Sequence, residues 1–268
     1  MSFAAHKNRI ITGVVLLVLA SLALYFQGVL LFVLVALAGG FALLEFYALF
    51  WPTGRHFLEK VVGLLLAWGM FWVAMQGHLY WILGLLILSF AFIAVRFLLA
   101  YGHGQETELH DWLYMPVGLI YVAVLLSPAL ALDRIEQILV VLAPVATDAA
   151  AYYAGSRFGR SKICPRISPN KSWVGAVSGL VACVVVCVVI GLKWGGLDVF
   201  SFMLLGACLS IAGQFGDFFE STLKRVRGVK DSGSLLPGHG GLLDRIDSLL
   251  FTVPMYVLLD LFLDFFPS

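Results

Sequence analysis

Val174 to Leu192 reads VGAVSGLVACVVVCVVIGL, nineteen residues without a charge, with Lys171 before it and Lys193 after it. At about 1.5 Å of rise per residue, a helix of that length covers most of the ~30 Å hydrocarbon core of a bilayer. Backbone N–H and C=O groups meet no water at that depth, and a helix satisfies them internally. Carried outward from this run, the same measure cuts the chain at its polar clusters into about nine apolar stretches. They cover residues 10–26, 29–50, 61–75, 79–100, 113–132, 138–154, 174–192, 199–220 and 242–263. The third and sixth are short, and either tilt, break or cross only in part.

Composition points the same way. Of the 268 residues, 61% are hydrophobic and 12% charged, where soluble domains carry roughly a quarter of their residues as charges. The expected fold class is an all-α polytopic membrane protein with about nine transmembrane helices. It is read as a single integral membrane domain, residues 1–268, with N-terminal helices in 1–135 and catalytic helices and loops in 136–268. A formal net charge of +1 excludes a globally basic nucleic-acid binder, so no nucleic acid is expected as a partner. Cys164, Cys183, Cys187 and Cys208 show no spacing that suggests zinc or a redox pair and read as small apolar packing residues. The first apolar stretch, preceded by Lys7 and Arg9, is longer than the apolar region of a typical signal peptide and is read as a retained span.

Cations set the expected topology, because short cytoplasmic loops collect Lys and Arg. With loops numbered alternately from an inside N-terminus, Lys7, Arg9, Arg55 and Lys60 fall inside. So do Arg157, Arg160, Lys162, Arg166, Lys171, Lys224, Arg225, Arg227 and Lys230. Arg134 and Lys193 fall outside, while Arg96 and Arg245 sit at cytoplasmic helix ends. This predicts an N-in, C-out protein with a polar cavity facing the cytoplasm. Trp51, Trp112, Trp173 and Trp194 near span ends suit an interfacial aromatic belt. Arg96 can snorkel to the interface on its own stem.

The densest chemistry runs from Ser221 to Asp247, STLKRVRGVKDSGSLLPGHGGLLDRID. Cations, carboxylates, a histidine and glycines together suit a polyanionic ligand with a bound metal. Carboxylates hold Mg²⁺, cations and backbone N–H groups hold phosphate, and glycine lets the backbone approach. Gln214, Asp217, Ser221 and Lys224 share one helical face, with Glu220 adjacent, and Asp244, Asp247 and Ser248 share another. Mg²⁺ typically takes one or two protein carboxylates and completes its shell with water and phosphate, so Asp217 and Asp244 are chemically sufficient for one ion. Arg227 and Asp231 either serve a ligand or pair with each other. His239 is either catalytic or a loop residue satisfied by backbone.

A second cluster runs from Asp148 through Tyr152, Gly155, Arg157, Gly159, Arg160 and Lys162 to Ser168-Pro169-Asn170-Lys171-Ser172-Trp173. A buried aspartate in an apolar span is expensive, so Asp148 is expected to find a cation, a metal or hydrogen-bond donors. An ordinary positive-inside loop accounts for the cations but not for Asp148. Glu45, inside the second stretch, either snorkels, pairs or serves the site.

These two blocks resemble the phosphatidate cytidylyltransferase family. The first carries its serine, Lys-Arg, Lys-Asp, the Pro before His-Gly-Gly and the closing Asp-Arg-hydrophobic-Asp. The second is similar too, with Asn170 and Ser172 where the family often has Lys and Thr; the N-terminal helices match only in hydrophobic character. The resemblance implies a multi-pass enzyme of the cell inner membrane, its active site facing the cytoplasm, that takes CTP and phosphatidic acid to CDP-diacylglycerol and pyrophosphate. It also implies Mg²⁺ with a second cation, K⁺ or Mg²⁺, and a homodimer. Carried onto this chain, it makes Asp217, Asp244, Asp247 and Glu220 metal residues and Lys224, Lys230, Asp231 and His239 catalytic ones. Asp148, Tyr152, Asn170, Lys171, Ser172, Ser221, Arg225, Gly240, Gly241 and Arg245 then bind substrate.

Rival readings are a CTP-dependent lipid kinase, which releases CDP instead of pyrophosphate, a cytidylyltransferase for an ether lipid, and a secondary transporter. The last predicts ion-coupled uptake without CTP turnover.

Overall fold

A computed structural model describes residues 3–51, 56–105, 108–236 and 240–267, with side chains from Ile11 onward. His239 lies outside the described residues. The protein is an all-α polytopic membrane protein. Among the described residues, eight helical segments are long and apolar enough to cross a membrane, and the apolar part of the first helix, Ile11–Phe26, is shorter. The chain forms two compact units, Met1–Ala131 with Asp231–Arg245, and Leu132–Lys230 with Ile246–Ser268.

In the first unit, α1 (Phe3–Phe26) packs on α2 (Gly28–Phe50), α2 on α3 (Phe57–Met75), and α3 on α4 (Tyr80–Gly102). The core is aromatic: Phe46, Tyr47, Trp51 and Phe71 are each almost fully buried. Small residues make room for these rings, since a Cβ at Gly39 would lie 2.5 Å from Phe71 and one at Gly118 2.6 Å from Tyr47. The Tyr47 hydroxyl donates to the Met115 carbonyl at 3.0 Å, satisfying a phenol that burial would otherwise penalise.

The fifth expected stretch is not one regular helix. It runs as α5 (Leu109–Gly118), a π-helical segment (Leu119–Val124) and a 3₁₀ turn (Ser127–Leu130). Pro116 and Pro128 each lack an N–H, which weakens the regular ladder where they fall. Two further expectations change here. Arg96 does not snorkel alone: its Nε donates to Glu59 at 2.9 Å, because the nearly inaccessible Glu59 requires a partner. Trp51 and Trp112 point inward and are buried, with Trp51 Nε1 donating to the Asp111 carbonyl at 2.8 Å; Trp173 and Trp194 are exposed at the ends of their helix.

The second unit packs α6 (Arg134–Phe158), α7 (Trp173–Trp194), α8 (Val199–Val226) and α10 (Leu249–Leu263). The polar stretch after α8 leads into α9 (Leu243–Ile246), within which the chain passes from the first unit to the second. On α7, Gly175, Gly179, Cys183, Cys187 and Gly191 recur every fourth residue and are buried, while Val177, Val181, Val185 and Val189 recur on the opposite face and are exposed. The small face lets backbones approach: a Cβ at Gly175 would lie 2.8 Å from the Ala151 carbonyl, and one at Gly179 2.8 Å from that of Thr147. Such small-every-fourth packing is how membrane helices associate without a hydrophobic drive. Cys183 and Cys187 belong to this stripe and are free, as packing residues should be.

Antiparallel packing brings the end of α6, the start of α7, the end of α8 and the start of α10 to one end of this unit. That end holds Arg157, Arg160, Lys162, Arg166, Lys171, Lys224 and Arg225, whereas the other holds Asp133, Glu136, Asp198, Asp260 and Asp264 together with Arg134 and Lys193. Three of the expected spans lengthen or break: α6 and α8 run beyond 138–154 and 199–220, and the last stretch turns at Asp247 and Ser248 between α9 and α10.

Candidate active site

In the second unit the functional side chains are placed by close helix contacts. Ser172 is the N-cap of α7, its Oγ accepting from Gly175 N–H at 3.2 Å, and it is 3% exposed. A buried cap hydroxyl holds the loop end, and the next residue back, Lys171, reaches across to α8. Its ammonium pairs with Asp217 Oδ2 and lies 4.2 Å from the centre of the Phe218 ring. Ser221, one turn further along α8, donates its hydroxyl to Asp217 Oδ1 at 3.4 Å. Both Asp217 oxygens are thereby engaged, one by a mobile cation.

Gly216 decides what else stands beside Asp217. A Cβ there would lie 2.5 Å from the Asp247 carbonyl, so only glycine lets the α9–α10 turn lie against α8 at this level. Asp247 is consequently within electrostatic reach of Asp217, Asp148 and Lys171. Three carboxylates and one ammonium form a single charged group in this unit. Asp148 is exposed rather than buried, and Tyr152, one turn on, is exposed too.

The other candidates on α8 and its flanking loops are placed by their own contacts. Glu220 is inaccessible and pairs with Lys224 one turn along α8, both facing the helix bundle. Arg225 donates Nε to the Ile167 carbonyl at 3.1 Å and a terminal nitrogen to the Val229 carbonyl at 3.1 Å, tying the α6–α7 loop to the turn after α8. Lys162 Nζ donates to the Asn170 carbonyl at 3.4 Å, while the Asn170 side chain and Lys230 are exposed.

The first unit holds a separate polar group. Asp244 Oδ2 accepts from Ser232 N–H at 3.0 Å, Ser232 Oγ at 3.0 Å and Gly241 N–H at 2.8 Å. Glu45, on α2, accepts from Leu242 N–H at 2.9 Å, Leu243 N–H at 2.8 Å and Ser232 Oγ at 3.1 Å. The glycine-rich loop thus turns its N–H groups at Ser232, Gly241, Leu242 and Leu243 onto the protein's own carboxylates. Gly240 adopts φ +80°, a conformation glycine accepts readily, and a Cβ on it would lie 2.8 Å from Asp244 Oδ2. Asp231 and Arg245 are exposed on the same stretch. Ser232 is the small residue that follows Lys-Asp in the first block, whereas Glu45 stands outside both blocks; an acidic residue inside an apolar span was the available signal for it.

Among the described residues no three His, Cys, Asp or Glu side chains gather where they could hold a metal ion together. The donor set is nevertheless all oxygen and carboxylate-rich, the chemistry of a hard cation that takes one or two protein ligands and completes its shell from water and phosphate.

Residues 7–262 match the profile of the Cytidylyltransferase family. A phosphatidate cytidylyltransferase of Bacillus subtilis is 35% identical over 267 residues, 96% of this chain and 98% of the relative. One from Helicobacter pylori is 38% identical over 260 residues, 95% of this chain and 92% of the relative. One from Thermotoga maritima is 43% identical over 149 residues, 52% of this chain and 55% of the relative.

Proposed function

The chain belongs to the Cytidylyltransferase family, and from that membership and the charged group on α8 we propose that it joins CTP to phosphatidic acid, releasing pyrophosphate and forming CDP-diacylglycerol. The observation that carries the reading is the pairing of Asp217 with Lys171 at the cationic end of the second unit.

Phosphatidate brings an anionic phosphate oxygen as nucleophile, so no strong general base is required. That oxygen attacks the α-phosphorus of CTP, the bond to the β-phosphate oxygen breaks, and its electron pair leaves with pyrophosphate. The barrier is that of bringing two polyanions together and stabilising the departing charge, which is work for positioning and electrostatics. Lys171, at the level of Asp217, and Lys230 supply positive charge to CTP phosphates and pyrophosphate. Arg225 holds the α6–α7 loop that carries Lys171. Asp217 and Asp247 would hold Mg²⁺, and the ion when bound supplies charge neutralisation at the phosphates; Asp244 is proposed as a further carboxylate of the reaction. A second cation, the inner-membrane location, the cytoplasmic facing of the cationic end and a homodimer are parts of the same proposal. The excess of cations at one end of the second unit supports the orientation.

The test is pyrophosphate release by detergent-solubilised protein supplied with CTP, Mg²⁺ and phosphatidic acid, beside Asp217→Asn. Release that requires both substrates and falls by about 10³-fold in the variant is expected. Turnover that yields CDP, or none from folded protein, overturns the reading.

A further inference from the structure

Glu45 lies on α2, far in sequence from every motif that carries the family resemblance, and is half-buried within an apolar helix. Its two oxygens divide the work. Oε1 accepts from Leu242 N–H at 2.9 Å, and Oε2 from Leu243 N–H at 2.8 Å and Ser232 Oγ at 3.1 Å. No neutral side chain of this length offers two acceptor oxygens to two successive backbone donors. The loop has been shaped to this carboxylate: a Cβ at Gly233 would lie 2.6 Å from Glu45 Oε1, and one at Gly241 2.4 Å from Oε2. Larger residues at either glycine would displace the carboxylate.

Glu45 also reaches Asp244 through a shared partner. Ser232 Oγ is 3.1 Å from Glu45 Oε2 and 3.0 Å from Asp244 Oδ2, and its single proton can serve only one of them at a time. Asp244 is itself held by Ser232 N–H and Gly241 N–H. Removing Glu45 therefore frees both ends of the segment that orients Asp244. All these residues lie within the first unit.

We propose that Glu45 is a positioning residue for cytidylyl transfer, which fixes the Ser232–Leu243 segment against α2 and through it sets the Asp244 carboxylate. The inference rests on the function proposed above. Glu45→Gln keeps the length but turns one acceptor into an N–H₂ that faces a backbone N–H. Loss of such an orienting partner typically lowers activity by about 10–100-fold.

Two measurements on the full-length protein in detergent test it: kcat for pyrophosphate release, and amide hydrogen exchange resolved along the chain. Glu45→Gln is expected to lower kcat by about 10–100-fold in the wild-type background and by less than about 3-fold in the Asp244→Asn background, because the effect passes through Asp244. Exchange at Leu242 and Leu243 is expected to accelerate while protection of α6, α7 and α8 stays unchanged. Ser232→Ala, which removes a single bond, is expected to give a smaller change of the same pattern and serves if Glu45→Gln does not fold. An unimpaired kcat, an equal fold-loss in both backgrounds, or unchanged exchange at Leu242 and Leu243 overturns the positioning role alone. Wild-type protein that releases no pyrophosphate from CTP and phosphatidate overturns the proposed function, and this inference with it.

Discussion

The protein uses carboxylates in two contrasting ways. In the first unit, Glu45 and Asp244 face six donor–acceptor pairs from one loop, five at 3.0 Å or less and the sixth at 3.1 Å, and four of the six donors are backbone N–H groups. In the second, Asp217 faces the ammonium of a long, flexible lysine and a serine hydroxyl, with Asp148 and Asp247 in electrostatic reach of each other's field. A backbone N–H cannot leave without unfolding the loop, so a carboxylate that it engages is held in one place. A lysine ammonium can swing away on four carbons, so the carboxylate it neutralises stays open to exchange for another cation or for a substrate contact. Residue type does not separate the two roles; the donor's freedom to leave does.

That contrast can be broken most directly at Asp217. Asp217→Asn is expected to cost about 10³-fold in pyrophosphate release with melting temperature nearly unchanged; a large loss of stability with activity retained would put Asp217 with the architectural group. Next in size, Asp244→Asn is expected to lower kcat by about 10–100-fold and, unlike Asp217→Asn, to accelerate amide exchange between Ser232 and Leu243. Identical exchange in the two variants would erase the distinction. Chelation with EDTA is expected to abolish turnover and added Mg²⁺ to restore it, while amide protection in the Ser232–Leu243 loop persists throughout, since its carboxylates are already held by N–H groups. Gly179→Leu should destabilise by about 1–3 kcal/mol through overpacking against Thr147, read as a lower melting temperature.

The smallest effect is expected at the opposite end of the second unit. Asp198 caps α8, and the Ser201 hydroxyl, followed by the Ser201 N–H, holds its carboxyl below the usual range. A depressed value means that the capping contribution is present above the unfolded value of about 4 and is lost as pH falls through the lower folded value. The melting-temperature difference between wild type and Asp198→Ala should therefore be steady near neutrality and shrink in acid.

Much of this architecture is legible in consecutive residues. The apolar runs foretell the helices because spanning length and hydropathy are local properties, and the period-four small residues of α7 are visible in its primary structure. Asp217 and Ser221 share a face for the same reason. Less legible are the contacts that depend on a second helix. Arg96 reads as a snorkelling cation until Glu59 is seen beside it, and Trp51 reads as an interfacial anchor until Asp111 supplies its acceptor. That Glu45 stands where a Cβ on Gly233 or Gly241 would be is likewise decided by the fold.

By itself the chain of residues determined an all-α membrane protein, the family it belongs to and the polar stretches that carry its chemistry, since each depends on near neighbours. Only the tertiary structure decided which carboxylate meets a lysine and which meets backbone N–H groups. Glu45 and Ser232 are separated by 187 residues, and a hydrogen bond is set by position and direction in space, which no local pattern encodes.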